Sequence, residues 1–258
     1  MNKASVSYRA GACALALSFA TLCVAQATKT SAPSTTRFSV TVTQVKPDML
    51  QEWLDIQKNE VNPALKKAGV TQRNVSSTRF GNTYEYLAST PLENYAQLDS
   101  PSPFVRALGA EGSAKLAAKI RRCFSSSRTF VSTRQNDLSA LADPKSPPPI
   151  TSTVRRRITP GKNQEYRAYI QNDLLPIYKK AKAEGKIAGF SVNTRGMGSV
   201  PGEMTLTTSY NKFADMEGGN LMTRMLGQEA AQKLQAKAAG LSTIVESYVR
   251  VRNNDLSF

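Results

Sequence analysis

The 258 residues contain no histidine. That excludes His-Asp-Ser triads, histidine general acid–base catalysis, His-ligated haem and nearly every common zinc or iron site. Cysteine is scarce too: Cys13, Cys23 and Cys123 are all there is. Acidic residues are few, 19 against 34 Lys and Arg, for a formal charge of +15. No paired carboxylates lie in the apolar setting that raises a carboxyl pKa. With His and Cys so rare, no metal site is expected, and no cofactor motif is present. What the chain does have is length. A chain of 258 residues suits one large domain or two small ones with a real core.

The first 27 residues read as a targeting segment. Met1 to Arg9 is short and basic, Ala10 to Val24 is apolar, and Ala25-Gln26-Ala27 places small residues at both peptidase positions. This is the pattern of a secretory signal peptide, cleaved after Ala27. About 15 apolar residues are too few for a bilayer core of ~30 Å. No later stretch is long enough, so no transmembrane span is expected in the mature chain. The expected location is periplasmic or secreted. Export removes Cys13 and Cys23, leaving Cys123 without an intrachain partner and best read as a buried thiol.

Losing Lys3 and Arg9 lowers the charge by two, to +13. An exported cationic chain points to anionic small molecules or envelope polymers before nucleic acid. No DNA- or RNA-binding module is present, so no nucleic-acid partner is expected.

The rest of the chain is an internal repeat. Arg106–Ser139 aligns with Arg224–Ser257 at an offset of 118, with 14 identities over 34 ungapped positions. Leu108-Gly109 matches Leu226-Gly227, and Asn136-Asp137-Leu138-Ser139 matches Asn254-Asp255-Leu256-Ser257. The front halves align at 113, with Trp53 opposite Tyr166 and Pro63 opposite Pro176. Residues 37–139 and 150–258 are therefore two repeats. Residues 140–149, with three consecutive prolines, form a stiff linker.

Each repeat has one element order. Phe38, Val40 and Val42 alternate with polar residues, as in a half-buried strand. Leu50, Trp53, Leu54, Val61, Leu65 and Ala68 share a helical face ended by Gly69, and Pro63 and Pro176 should kink or split their helices. Val70–Phe80 and Thr83–Thr90 read as strands around Gly81-Asn82, followed by a short helical piece over 92–98. A helix over 102–122 and a strand over 124–134 complete the unit. The order β-α-β-β-α-β is the ferredoxin-like split βαβ unit, so the fold class is α+β. The uncovered sheet faces of the two repeats are expected to bury each other within one chain. This makes a monomer with an internal pseudo-two-fold axis.

The run KPDMLQEWLDIQKNEVNPALKKAGV, then NTYEYLAS, then LGAEGSAKLAAKI, resembles the dimeric α/β-barrel superfamily, nearest its antibiotic-biosynthesis-monooxygenase-like and NIPSNAP-like members. The resemblance covers both repeats. It implies a barrel made from two ferredoxin-like units. Such relatives include cofactor-independent monooxygenases and haem-degrading enzymes. The latter generally use a histidine ligand, which this chain lacks.

Several constellations are candidates for a ligand site. Arg79 and Glu85 flank the first hairpin, and Arg195 and Glu203 the second. The arginines could fork to an anion inside the barrel, or simply make cross-strand ion pairs. Trp53, Tyr84, Tyr86, Tyr166, Tyr169 and Tyr178 are placed near the cleft between helix and sheet, as pocket lining for a planar ligand or as core. Arg155-Arg156-Arg157 alternate faces on a strand and make no single patch. Gly196–Gly202 lacks dinucleotide-loop spacing. Ser209-x-x-Lys212 lacks the companion motifs of penicillin-recognising enzymes.

No catalytic residue emerges. The candidate ligand set is Trp53, Arg79, Tyr84, Tyr86, Tyr166, Tyr169 and Arg195, for a small aromatic or anionic ligand. The expected function is a non-catalytic ligand-binding or interaction module of the cell envelope. The second reading is a cofactor-independent monooxygenase-like enzyme acting on a small aromatic or quinol-type molecule.

Overall fold

Alternation of side chains builds the molecule. Along each strand, every second residue faces the helices and the others face inward. The computed structural model describes residues 34–258. The segment read as a signal peptide lies outside them. Eight strands are described: β1 (Thr35–Val45), β2 (Asn74–Phe80), β3 (Glu85–Pro91), β4 (Phe124–Gln135), β5 (Ile150–Ile158), β6 (Gly189–Arg195), β7 (Glu203–Tyr210) and β8 (Ser242–Arg252). They close into one barrel in the order β1-β3-β2-β8-β5-β7-β6-β4. Every pairing is antiparallel. Closure leaves no unpaired sheet edge. No described helix is long and apolar enough to cross a membrane.

The helices lie outside the barrel. α1 (Leu50–Ile56) and α2 (Asn62–Lys67) are joined by a π-turn over Gln57–Val61, and α4 (Asn163–Tyr169) and α5 (Leu175–Ala183) by another over Ile170–Leu174. Each π-turn ends two residues before Pro63 or Pro176. Proline lacks an N–H and collides with the carbonyl four residues back, so one wider turn absorbs the misfit without ending the helix. α3 (Pro103–Arg122) begins at Ser102, whose hydroxyl caps the Val105 N–H at 3.3 Å.

α3 bends at Gly109 (φ 73°, ψ 174°). The same geometry at Gly227 (φ 83°, ψ 166°) separates α6 (Leu221–Leu226) from α7 (Gln228–Leu241). This combination is essentially glycine-only, which explains why Leu-Gly recurs in both repeats. A Cβ at Gly227 would meet nothing within 4 Å, so the constraint is backbone alone. Gly227→Ala should therefore cost about 1–3 kcal/mol. Gly240→Ala, also with open space around its Cβ but within α7, should stabilise by about 0.5–1 kcal/mol. Urea denaturation of the two variants checks this, and equal stabilities would contradict it.

Two apolar layers lie between barrel and helices. One gathers Val45, Trp53, Ile56, Leu65, Val75 and Tyr86 under α1–α3. The other gathers Tyr166, Ile170, Leu174, Phe190, Val192 and Leu241 under α4–α7. Cys123 is fully buried in the first, its thiol donating to the Lys119 carbonyl at 3.4 Å.

The repeated Asn-Asp-Leu-Ser segments cross over. Leu138 packs in the layer built from residues after the linker, and Leu256 in the layer built from residues before it. Ser139 Oγ accepts from Val192 N at 3.1 Å, and Ser257 Oγ from Val75 N at 3.0 Å. The first residue of the linker is sheet-like: Ala140 exchanges two backbone bonds with Phe190 at 2.8 and 2.9 Å.

Candidate functional site: the barrel lumen

The inward faces do not bury each other. They enclose a cavity of about 930 Å³. This corrects the expectation of two sheet faces packed together, because too many inward positions are polar. On β5 and β7 they are Thr151, Thr153, Arg155, Thr205, Thr207 and Ser209. On β1 they include Phe38, Val40 and Val42. In the strand order β1 and β5 are diametrically opposite, so one wall is apolar and the facing wall is polar. Pro144, Pro148 and Pro149 of the linker line one mouth.

Charge in and beside the lumen is organised in two clusters. Glu203, with a side chain 1% exposed, takes bonds from Arg155 at 2.9 and 3.0 Å and from Arg157 at 3.1 Å. Arg195 Nη1 stands 3.8 Å away. Burial alone would raise the Glu203 carboxyl, but hydrogen bonds from Arg155 and Arg157 outweigh it and hold it below the usual carboxylate range. Burial alone would lower the Arg155 guanidinium, but hydrogen bonds to Glu203 and Glu246 raise it. Arg155 also donates twice to Glu246 Oε2, at 2.8 and 3.2 Å. In the second cluster, buried Arg250 pairs with Glu85, donates to Thr78 Oγ1 at 3.2 Å and lies over the Tyr248 ring at 3.9 Å.

The candidates read from the sequence fall in three places. Arg195 lines the lumen, over the Phe130 ring at 4.0 Å, and its Nε has no hydrogen-bond partner among the described residues. Burial, then the neighbouring Arg155, lowers its pKa. Arg79 does not join it. β2 pairs Thr78 with Arg250 and Phe80 with Val249, so Arg79 is the extra residue of a bulge and is exposed. Register with β3 and β7 makes Thr78, not Arg79, the counterpart of Arg195. Tyr84 is also exposed, at φ 60° in the turn.

Trp53, Tyr86, Tyr166 and Tyr169 are buried in the helix–sheet layers, not in the lumen. Trp53 and Tyr86 meet at 4.4 Å between ring centroids, and Tyr166 and Tyr169 at 5.9 Å. Tyr178 stacks on Phe190 at 3.7 Å. Burial raises the pKa of Tyr86, Tyr166 and Tyr169, and pushes Tyr178 up to about 12. These phenols stay protonated near neutral pH and supply no base. Arg73 is buried under the helices of the first half, donating to Gln57 and Asn62 at 2.6 Å each, and burial lowers it to about 10.

Sequence reasoning missed Arg128, Arg155, Glu246, Tyr248 and Arg250 as lumen residues. Their signal was the even spacing along β4 and β8 and the alternation in Arg155-Arg156-Arg157. Arg156 does face away, donating to Ser242 Oγ at 2.8 Å. Among the described residues, no group of His, Cys, Asp and Glu could hold a metal ion.

The sequence matches no family model and no curated protein. Its fold does have solved counterparts. An anthrone oxidase-like protein superposes with a TM-score of 0.57 at 10% identity, over 85% of this chain and 92% of that one. A candidate monooxygenase of Lactobacillus acidophilus gives 0.54 at 6% identity, over 87% and 96%. A candidate monooxygenase of Fusobacterium nucleatum gives 0.53 at 11%, over 85% and 92%.

Proposed function

We propose that the chain is a cofactor-independent monooxygenase-like enzyme that oxidises a small aromatic or quinol-type molecule in the barrel lumen. This replaces the reading as a non-catalytic envelope module. The overturning finding is that structural counterparts over 85–87% of the chain are described as candidate monooxygenases and an anthrone oxidase-like protein. The observation that carries the proposal is the lumen itself, a cavity of about 930 Å³ with an apolar wall facing a cationic, hydroxyl-rich one.

The chemistry suits that wall. A phenol or an activated methylene must lose a proton before O₂ can take its electrons. Guanidinium groups in a low-dielectric space stabilise the resulting enolate. Glu246 is the acceptor in place. It lines the lumen, and Arg155 bonds only its Oε2, leaving Oε1 unengaged among the described residues. The substrate supplies every electron. For an anthrone-type methylene, one O₂ converts CH₂ to C=O and releases one water. The apolar wall of Phe38, Val40 and Val42 accommodates the ring and O₂.

On this reading, residues 37–139 and 150–258 are duplicated ferredoxin-like halves forming an intrachain pseudo-dimer. Support comes from the matching strand orders β4-β1-β3-β2 and β8-β5-β7-β6 and from the paired glycine bends. The protein is then a monomer, exported through its first 27 residues. An oxygen electrode tests the activity against quinols and anthrones, with chelator present. Uptake of one O₂ per anthrone consumed is expected. No uptake above the uncatalysed rate across the panel would refute the enzyme reading.

A further inference from the structure

The two halves of the lumen have diverged in a way that breaks its two-fold symmetry. Strand register pairs Val42 with Arg155, Leu87 with Thr205, and Thr78 with Arg195. The 118-residue offset pairs Arg128 with Glu246 and Ser132 with Arg250. Exchanging the halves would therefore swap apolar for polar groups and cation for anion.

Among the described residues, six arginines line the lumen and they are not equally engaged: Arg134 is held by Asn136 and Arg252 by Asn74 and Asn254, all neutral side chains. Arg155 is committed to Glu203 and Glu246, and Arg250 to Glu85. Arg195 has no hydrogen bond at Nε and reaches Glu203 only at 3.8 Å. Arg128 donates through Nε to the Gly198 carbonyl at 2.9 Å and has no carboxylate within ion-pair distance among the described residues. Both line the cavity, on adjacent strands β6 and β4. Arg195 lies over the Phe130 ring at 4.0 Å, and Phe130 and Arg128 are successive inward positions on β4. The counterpart positions carry Thr78 and Glu246, so this cationic pair is not repeated at the symmetry-related positions.

We propose that Arg195 and Arg128 form an anion subsite that holds the acidic group of an amphipathic aromatic ligand in a single orientation, its ring edge against Phe38, Val40 and Val42. This deepens the proposed function and rests on the lumen being its substrate site. It names the substrate class as an aromatic bearing a carboxylate, sulfonate or similarly ionised group. Charge-assisted bonds to guanidinium favour such a group over a neutral one, and the adjoining β1 wall, where Val42 is in register with Arg128, gives the ring an apolar surface that water does not contest.

Calorimetric titration of the purified protein tests this without turnover. The probes are anthraquinone-2-sulfonate and neutral 2-(hydroxymethyl)anthraquinone, which share a ring system. The sulfonate is expected to bind at least about tenfold more tightly. Arg195→Gln should collapse the preference, Arg195→Lys should retain part of it, and Arg79→Gln, on the exposed bulge, should leave it intact. Phe38→Ala should weaken both probes alike. Equal affinities, no binding of either probe, or an unchanged ratio in Arg195→Gln would overturn the inference. Should Arg195→Gln fail to fold, the wild-type ratio still decides, and it should fall as salt screens the anion. Oxygen uptake without the anion preference would leave the function standing and remove this subsite. The preference without uptake would do the reverse.

Discussion

Glu203→Gln should destabilise the protein by about 3–5 kcal/mol at pH 7, a very large loss for a change that preserves shape. Three guanidinium groups converge on this carboxylate, and its side chain is 1% exposed. The amide keeps one acceptor oxygen but no charge. Arg155 and Arg195, at 18% and 11% side-chain exposure, would then face each other with only Glu246 to offset them. The pH dependence fixes the sign. The folded-state pKa of Glu203 is lowered, so its contribution is complete above the pKa of the unfolded carboxyl, near 4.3, and is lost as pH falls through the folded value. The gap between wild type and Glu203→Gln should be full from about pH 6 to 7 and should close below about pH 4. Urea denaturation across that range measures it. A gap that does not change with pH would show that Glu203 acts through shape rather than charge.

Leu138→Ala and Leu256→Ala should each cost about 2–5 kcal/mol, because both side chains are almost wholly buried, at 0% and 1% exposure. Their effects should appear at a distance along the chain. Leu138 precedes the linker but packs against residues after it, so Leu138→Ala should speed amide exchange in α4, α5 and β6. Leu256→Ala should do the same in α1, α2 and β2, at the other end of the described chain. Thermal unfolding should remain a single cooperative transition, since each half holds part of the other's core. Two separate transitions, or a loss under about 1 kcal/mol in either variant, would contradict the crossed packing.

These segments also show what could be read from the chain. Asn-Asp-Leu-Ser recurs where the leucine and serine have the same task twice, each packing or bonding in the other apolar layer. The Leu-Gly bends were legible for a similar reason, since only glycine tolerates that backbone. The element order followed from periodicity and glycine–proline punctuation, and the strand starts at Asn74 and Glu85 moved inward from the expected 70 and 83 because loop residues there still carry apolar side chains. What failed was local register and three-dimensional sidedness. A one-residue bulge at Arg79 carries no composition signal, yet it moves that arginine out of the barrel and makes Thr78 the match of Arg195. Alternation in β4, β5 and β8 announces two faces without saying which looks inward. The inward one proved to carry Arg128, Arg155, Glu246 and Arg250. Trp53, Tyr86, Tyr166 and Tyr169 lie under the helices as the pattern suggested, but whether that space is open or filled depends on packing that no single chain pattern encodes.

The lumen as the reaction site is the central claim, and filling it tests that claim directly. Thr207 lines the cavity on β7, on the polar wall, where its hydroxyl meets that of Thr153 at 3.0 Å. Thr207→Trp adds bulk to that space. The measurement is oxygen uptake with the best quinol or anthrone substrate, for wild type and Thr207→Trp, after circular dichroism has matched their folds. A folded variant with uptake reduced at least about a hundredfold, the order lost when a reacting group is displaced by an ångström, is the expected result. A folded Thr207→Trp that consumes oxygen at the wild-type rate would place the chemistry outside the barrel.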